Sequence, residues 1–182
     1  MSVFGTRVRY GTVAQLFHWL TAGLVLAAFL VAEGGPPSRV YGEANAAALQ
    51  LHESLGLAVF ALVVGRLIWR LFDRHPQSPA MPGWMGISSK ATHRALYGLL
   101  IAVPGTAILG AWFDGHPITV HGLGSVGPFF ATSDLGASLA GIHGTLGDLM
   151  MWLAGLHATA ALYHHFFLRD RVLKTMLPGS AA

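Results

Sequence analysis

The sequence lacks cysteine and is poor in charged residues. Among 182 residues there is no cysteine, and Asp, Glu, Lys and Arg together make up only 10%. The first absence excludes a disulfide framework and zinc–thiolate sites. The second lies far below the roughly 25% that is usual in soluble domains, whereas 53% of the residues are hydrophobic. The composition therefore predicts a membrane protein rather than a water-soluble domain.

Four apolar stretches are long enough to cross a bilayer as helices, which requires about 20 residues each. They run approximately over residues 13–32, 46–71, 92–113 and 139–168. Pro104 falls inside the third stretch, at a position that membrane helices tolerate. We therefore predict an all-α integral membrane four-helix bundle that forms a single domain over residues 1–182, with a periplasmic loop over about 114–138.

The charged residues predict how this bundle is oriented. Of the eleven Lys and Arg residues, all except Arg39 fall on the side of the two termini, so the positive-inside rule places both termini in the cytoplasm. The opposite side is expected to carry the carboxylates, which are Glu33, Glu43, Glu53, Asp114, Asp134 and Asp148. The basic residues follow the membrane side and form no single patch, so we expect contacts with lipid and no nucleic-acid partner.

Histidine is the abundant ionisable residue, with ten copies. Ionisable side chains inside a membrane are costly and usually mark functional sites. On the fourth predicted helix, His143 and His157 are fourteen residues apart, which is nearly four turns, so both project from one face about 21 Å apart. One metal ion cannot bind both, whereas two cofactors stacked across the membrane can.

Histidines on other helices match these two depths. His52 opens the second helix on the outer side, as His143 does on the fourth, and His18 lies near the inner end of the first helix. Two opposed histidines at each level would hold two non-covalent haems b, whose six-coordinate iron suits electron transfer. At the inner level the spacing leaves His157 and His164 as alternatives, because His164 matches the depth of His18 better and helix ends are uncertain by about a turn.

A glycine follows two of these histidines by one helical turn. His52 to Gly56 and His143 to Gly147 share the pattern His-x-[Ser/Thr]-Leu-Gly. A glycine on the histidine face would let a flat macrocycle approach the backbone. The alternative is close helix–helix packing, for which membrane bundles widely use small residues.

Several segments around these histidines resemble the bacterial cytochrome b561 family, which are four-helix dihaem cytochromes of the inner membrane. The resemblance covers nearly the whole chain in order, except for the outer loop. It rests on residues 16–20 (LFHWL), 51–56 (LHESLG) leading to 66–70 (RLIWR), 93–97 (HRALY) leading to Pro104-Gly105, and 157–167 (HATAALYHHFF) followed by Arg169-Asp170 and 176–178 (MLP).

The resemblance implies specific roles for residues of this chain. It implies that His52 and His143 ligate the iron of an outer haem, and that His18 and His157 ligate that of an inner one. It also implies a quinone site at the cytoplasmic side, for which the candidates are His164, Lys90, His93 and Arg94. For Lys90, His93 and Arg94 the alternative is positive charge at a lipid interface. Arg66 and Arg70 are candidates for contacts with haem propionates or with lipid phosphates.

Three functions are considered. Some members of the family resemble a superoxide oxidase, in which superoxide reduces the outer haem, the inner haem receives the electron and ubiquinone is reduced. Because the outer carboxylates repel an anion unless the local field is focused, an electron carrier or anchor subunit between the quinone pool and a periplasmic redox protein is the alternative. A divalent metal transporter is the third hypothesis. It fits less well, because it requires ligands and carboxylates together near the midplane, whereas the histidines here fall at an outer and an inner level.

Overall fold

The computed structural model of the chain describes residues 3–6, 9–32, 46–73 and 82–178. Four long helices form within these ranges: α1 (Thr12–Ala32), α2 (Ala46–Phe72), α3 (Gly83–Phe113) and α4 (Leu135–Tyr163). One turn of π-helix (His164–Leu168) continues α4, and a 3-10 turn (Leu173–Thr175) follows it. Some charges behind the predicted orientation lie outside the described residues, namely Arg7, Glu33, Arg39, Glu43 and Arg74.

The helices differ in their suitability for spanning a membrane. Among the helices of the described ranges, α1, α2 and α3 are both long and apolar enough to cross a bilayer. With 29 residues α4 has the length, but its Gly, Thr, His and Asp residues dilute the apolar ones. α3 begins at Gly83, directly after Pro82 and nine residues before its predicted start, because a helix can extend into the polar region with residues such as Ser and Lys.

The helices pack as two hairpins. α1 lies along α2 and α3 lies along α4, whereas α2 and α3 make a much smaller contact. α3 and α4 approach closely near the loop that joins them, at the end of the bundle that we call the outer end. An added Cβ at Gly110 would lie only 3.3 Å from the backbone nitrogen of Ala140. The buried core is a short apolar layer halfway along the bundle, in which Leu99, Val103 and Met150 pack with Val25, Leu100, Leu146 and Leu153.

Asp148 lies elsewhere than the sequence predicted. It was expected on the outer side, but it lies near the centre of α4, thirteen residues after Leu135 and fifteen before Tyr163. The prediction was wrong because α4 begins and ends four to five residues earlier than expected. Asp148 is exposed, and its position five residues after His143 turns it about 140° away from the histidine face. It therefore lies apart from the histidines, although it is near the midplane.

The loop between α3 and α4 contains a small β-hairpin. Strands β1 (Ile118–Val120) and β2 (Gly124–Val126) pair antiparallel, with Thr119 opposite Ser125. The loop is anchored by Trp112, whose Nε1 donates to the carbonyl oxygen of Val126 at 3.1 Å. The next residue must be glycine, because Gly127 has a φ of +82° and an added Cβ would lie 2.2 Å from the same Nε1.

The two described ends of the chain meet at the other end of the bundle. The backbone nitrogen of Tyr10 donates to the carbonyl oxygen of Thr175 at 3.3 Å. The side-chain amide of Gln15, which is only 4% exposed, donates to the same oxygen, and Trp19 Nε1 donates to the carbonyl oxygen of Met176 at 2.8 Å. The segments before α1 and after α4 therefore lie on one side of the bundle, which we call the inner end.

Candidate functional site

Two histidines face each other near the outer end of the bundle. His52 of α2 and His143 of α4 have ring centres 6.0 Å apart, with the ring planes at 83°. An imidazole nitrogen binds a transition metal at about 2 Å, so two rings on opposite sides of one ion have centres roughly 6 Å apart. The separation therefore matches two axial ligands of one iron. We call these two residues the outer pair.

Hydrogen bonds to the backbone fix both rings of the outer pair. The Nδ1 of His52 donates to the carbonyl oxygen of Ala28 on α1, and the Nδ1 of His143 donates to that of Val103 on α3, each at 2.9 Å. Because a carbonyl oxygen only accepts, the proton of each neutral ring lies on Nδ1. Nε2 is then the unprotonated ring nitrogen, which is the usual arrangement of a metal-binding histidine.

A second pair lies toward the inner end. His18 of α1 and His157 of α4 have ring centres 6.4 Å apart, with the planes at 77°. We call them the inner pair. His93 of α3 adds a third imidazole, 5.1 Å from His157, which is too short for an iron between these two rings. The Nδ1 of His93 instead donates to the carbonyl oxygen of Ser89.

The structure separates His164 from the inner pair. His157, not His164, lies opposite His18. His164 occupies the π-turn after α4, and its Nδ1 donates to the Oδ2 of Asp170. Lys90 and Arg94 of α3 are exposed. Of the four predicted quinone residues, His93 lies beside His157 of the inner pair.

The surroundings of the inner pair are positively charged. Arg66 and Arg70 of α2 both lie over the ring of Tyr97, at 5.4 and 5.5 Å from its centre. Arg66 also lies within electrostatic range of both His18 and His157. Both arginines were candidates from the sequence, whereas Tyr97, which lies one turn after His93, was not. The pattern that could have indicated Tyr97 is an aromatic residue predicted at the same depth as two arginines that are spaced one turn apart.

Tyr10 adds a phenol to this end of the molecule. It lies just before α1, and burial raises the pKa of its hydroxyl, while the positive charges of Arg70 and Arg66 act in the opposite direction. The phenol therefore stays protonated and neutral. Tyr10 was not predicted from the sequence, because its burial depends on tertiary packing that the sequence pattern does not show.

The glycines after the outer pair leave open space beside the histidines. An added Cβ at Gly56 or Gly147 would have no atom of another described segment within 4 Å, whereas one at Gly136 would meet the backbone of Asp114 at 2.6 Å. Gly56 and Gly147 therefore do not serve close helix–helix packing, which was the alternative explanation. Open space on the histidine face fits a flat macrocycle, so the residues around the outer pair fit haem b.

A buried hydroxyl gives a similar indication at the inner level. Thr21 lies three residues after His18 on α1 and is only 4% exposed. Its Oγ1 has no hydrogen-bond partner among the described residues. Burying a hydroxyl without a partner is costly. The Thr21 hydroxyl therefore fits a site in which a bound group supplies its hydrogen-bond partner.

The β-hairpin of the outer loop is fixed beside the outer pair. The backbone nitrogen of Thr119 donates to Oε2 of Glu53, and that of His121 donates to Oγ of Ser54, each at 2.9 Å. Glu53 and Ser54 directly follow His52 in the sequence. The hairpin therefore lies over the outer end of α2. This role was not predicted from the sequence. The polar residues directly after His52 are the feature that could have indicated a contact with the loop.

Comparisons with known proteins identify relatives of this chain. A family model described as prokaryotic cytochrome b561 matches residues 9–179. The chain is 33% identical to cytochrome b561 homolog 2 of Escherichia coli K12, over 100% of this chain and 98% of the relative. It is 30% identical to the probable superoxide oxidase CybB of Yersinia pestis, over 93% and 96% of the two chains. It is 29% identical to a cytochrome b562 of Cereibacter sphaeroides, over 92% and 94%.

The family match spans all four long helices of the described ranges and both histidine pairs, and it confirms the resemblance drawn from the sequence. The chain is therefore a multi-pass protein of the bacterial inner membrane that binds haem b and transfers electrons. It belongs to the prokaryotic cytochrome b561 family.

Proposed function

We propose that the protein carries electrons from the periplasmic side through two haems b to a quinone at the cytoplasmic side, with superoxide as donor and ubiquinone as acceptor. Both termini are then cytoplasmic. The observation that carries the proposal is the presence of two opposed histidine pairs, with ring centres 6.0 and 6.4 Å apart. The relative named as a probable superoxide oxidase supports the choice of donor.

The four paired histidines are the proposed iron ligands. His52 and His143 would hold the outer haem, and His18 and His157 the inner one. Six-coordinate haem iron with two imidazole ligands supplies one-electron transfer without an open position for oxygen. The ligands on α4 are fourteen residues apart, about 21 Å along the axis, and the apolar layer around Met150 lies between them. This layer excludes water, so it opposes proton movement between the two levels.

The reaction balances with two superoxide anions for each quinone. Two superoxide anions lose one electron each and leave as dioxygen. The two electrons, with two protons from the cytoplasmic side, reduce one ubiquinone to ubiquinol. The donor site is at the outer pair under the hairpin, where Glu53 turns its carboxylate to the backbone of Thr119.

The acceptor site is proposed at the inner end. The guanidinium group of Arg66 puts positive charge within electrostatic range of both inner histidines, which favours the arrival of an electron at that level. The His164 ring follows the inner pair by seven residues, about 10 Å along the axis and on nearly the same face. A histidine there can donate a hydrogen bond to a quinone carbonyl and pass on a proton.

A second candidate function is electron exchange between the quinone pool and a periplasmic redox protein. It is favoured by apolar residues on the outer loop, since Leu123 is 86% and Phe129 is 67% exposed. Exposed apolar residues at one end of a membrane protein suit a docking partner. The divalent metal transporter has no such support, because no three His, Asp or Glu side chains of the described residues lie close enough to hold an ion.

The test uses the purified protein in detergent. A pyridine haemochrome assay should give two haems b per chain, and an assay in aerated buffer should show ubiquinone reduction driven by enzymatically generated superoxide and abolished by superoxide dismutase. Reduction by superoxide with one haem per chain would contradict the two-haem assignment. Two haems that superoxide does not reduce would contradict the donor and favour the periplasmic redox protein.

A further inference from the structure

The further inference concerns Asp170, and it rests on the proposed function. We infer that Asp170 is the positioning residue that orients His164 as proton donor to the quinone. The His164 Nδ1 donates to the Oδ2 of Asp170, and the two side chains are only 15% and 24% exposed. A carboxylate on the far nitrogen of a functional histidine fixes the ring and the nitrogen that carries the proton.

The backbone is bent to bring these two residues together. The π-turn His164–Leu168 ends at Arg169, which has a φ of +52°. Arg169 is the single non-glycine residue with a positive φ among the described residues, and side chains with a Cβ rarely adopt this conformation. The turn allows the Asp170 nitrogen to donate to the His164 carbonyl oxygen at 3.2 Å. Strained residues and π-turns concentrate at functional sites.

The two carboxylate oxygens of Asp170 have separate partners. Oδ2 accepts from His164, and Oδ1 accepts from the backbone nitrogen of Val172 at 2.9 Å. Asparagine has one acceptor oxygen in place of two. Asp170→Asn therefore keeps the size of the side chain and the bond that supports the turn, while it loses the acceptor for the ring.

The geometry leaves His164 Nε2 for the substrate. When the ring holds two protons, Nδ1–H stays on Asp170 and Nε2–H donates to a quinone carbonyl oxygen. As electrons reach the quinone, the Nε2–H bond breaks and an O–H bond forms on that oxygen. The ring then takes a proton from water at the inner end, where Asp170 is partly exposed. Two such transfers match the two electrons and give one quinol.

The experiment compares Asp170→Asn with Asp73→Asn in the haem-loaded, full-length protein. Asp73 is a matched control, because it lies at the end of α2 and its Oδ1 accepts from the backbone nitrogen of Gly5, without a contact to His164. The haems are reduced anaerobically with dithionite, the excess reductant is removed, and a short-chain ubiquinone is added. Reoxidation is followed in the visible spectrum over a range of quinone concentrations.

Asp170→Asn should slow the maximal rate of reoxidation by about tenfold to a hundredfold, as for other residues that orient a functional histidine. The quinone concentration at half-maximal rate should change less than twofold, and the haem content should be unchanged. Asp73→Asn should match the wild type. In Asp170→Ala, added formate should restore part of the rate, which a merely structural residue would not allow.

Other outcomes overturn the inference. If His164→Gln is slow while Asp170→Asn equals the wild type, Asp170 only supports the turn. If Asp170→Asn loses haem, the residue acts on folding rather than on the quinone step. A wild-type protein whose haems quinone does not reoxidise would contradict the proposed function itself, and this result is distinct from a slow variant of an active protein.

Discussion

The outer and inner histidine pairs are held in different ways. Backbone carbonyl groups of the neighbouring helices fix both rings of the outer pair through Nδ1. The inner pair is surrounded by side chains instead, with His93 against His157 and Arg66 nearby. The outer level is therefore specified by hydrogen-bond geometry and the inner level by charge. In the proposed function, this difference would give the two haems different properties.

The two environments are expected to give the two haems different reduction potentials. A hydrogen bond from Nδ1–H to a carbonyl makes the imidazole a stronger donor to iron and so favours the oxidised state, whereas nearby positive charge favours the reduced state. We therefore expect the inner haem to have the higher reduction potential. Electrons then pass from the outer to the inner level, which is the direction that quinone reduction at the inner end requires.

The largest expected effect is the loss of one haem when one ligand is removed. His143→Ala should lower the haem content from two to one per chain, and the remaining haem should keep the spectrum of the inner site. His157→Ala should give the complementary spectrum. Pyridine haemochrome analysis and reduced-minus-oxidised spectra measure both. His121→Ala is the control, because His121 lies exposed in the outer loop. Two haems in His143→Ala would refute the ligand assignment.

A smaller loss is expected from filling the space beside the outer pair. Gly147→Leu should reduce occupancy of the outer haem by more than half, because the new side chain enters the space on the histidine face. Gly141→Leu is the matched control, since an added Cβ at either glycine meets no protein atom within 4 Å, but Gly141 is turned about 160° from His143. Equal haem content in the two variants would show that the open space has another use.

The charge difference predicts a shift in one haem only. Arg66→Gln should lower the potential of the inner haem on the order of tens of millivolts, since it removes a positive charge near both inner ligands. The outer haem should keep its potential. Spectroelectrochemical titration resolves the two values, with Arg171→Gln as the control for a change of net charge at the inner end. Equal shifts of both haems by Arg66→Gln would mean that the arginine does not distinguish the levels.

Much of the arrangement along each helix follows from the sequence. The fourteen-residue spacing on α4 predicted two levels, and the structure has a histidine from another helix opposite each of them. What spacing cannot give is the distance between helices. His93 lies beside His157 only because of the way α3 packs on α4, and one helix's periodicity carries no such information.

The errors have the same physical origin. Asp148 was misplaced because the apolar run of α4 has diffuse ends, and a shift of four to five residues moves a carboxylate from the interface to the midplane. The hairpin was missed because strands of three residues are too short to show an alternating pattern. From the sequence, Asp170 was identified only as part of the Arg169-Asp170 motif. Its contact with His164 was not predicted, because it depends on the left-handed backbone at Arg169.

The smallest expected effect concerns the hairpin that covers the outer pair. Glu53→Gln keeps an acceptor for Thr119 but removes the charge that strengthens the bond, so we expect local opening of the hairpin to become easier by about 1 kcal/mol. Hydrogen exchange at Thr119 should then speed up roughly fivefold, with unchanged haem content. Ser138→Ala is the control, because its hydroxyl bonds only within the start of α4.

If the hairpin limits access to the outer haem, Glu53→Gln should also be reduced faster by superoxide. Faster exchange without faster reduction would assign the hairpin to stability and leave access to another surface, and the two pairs would then differ in their ligand environment alone.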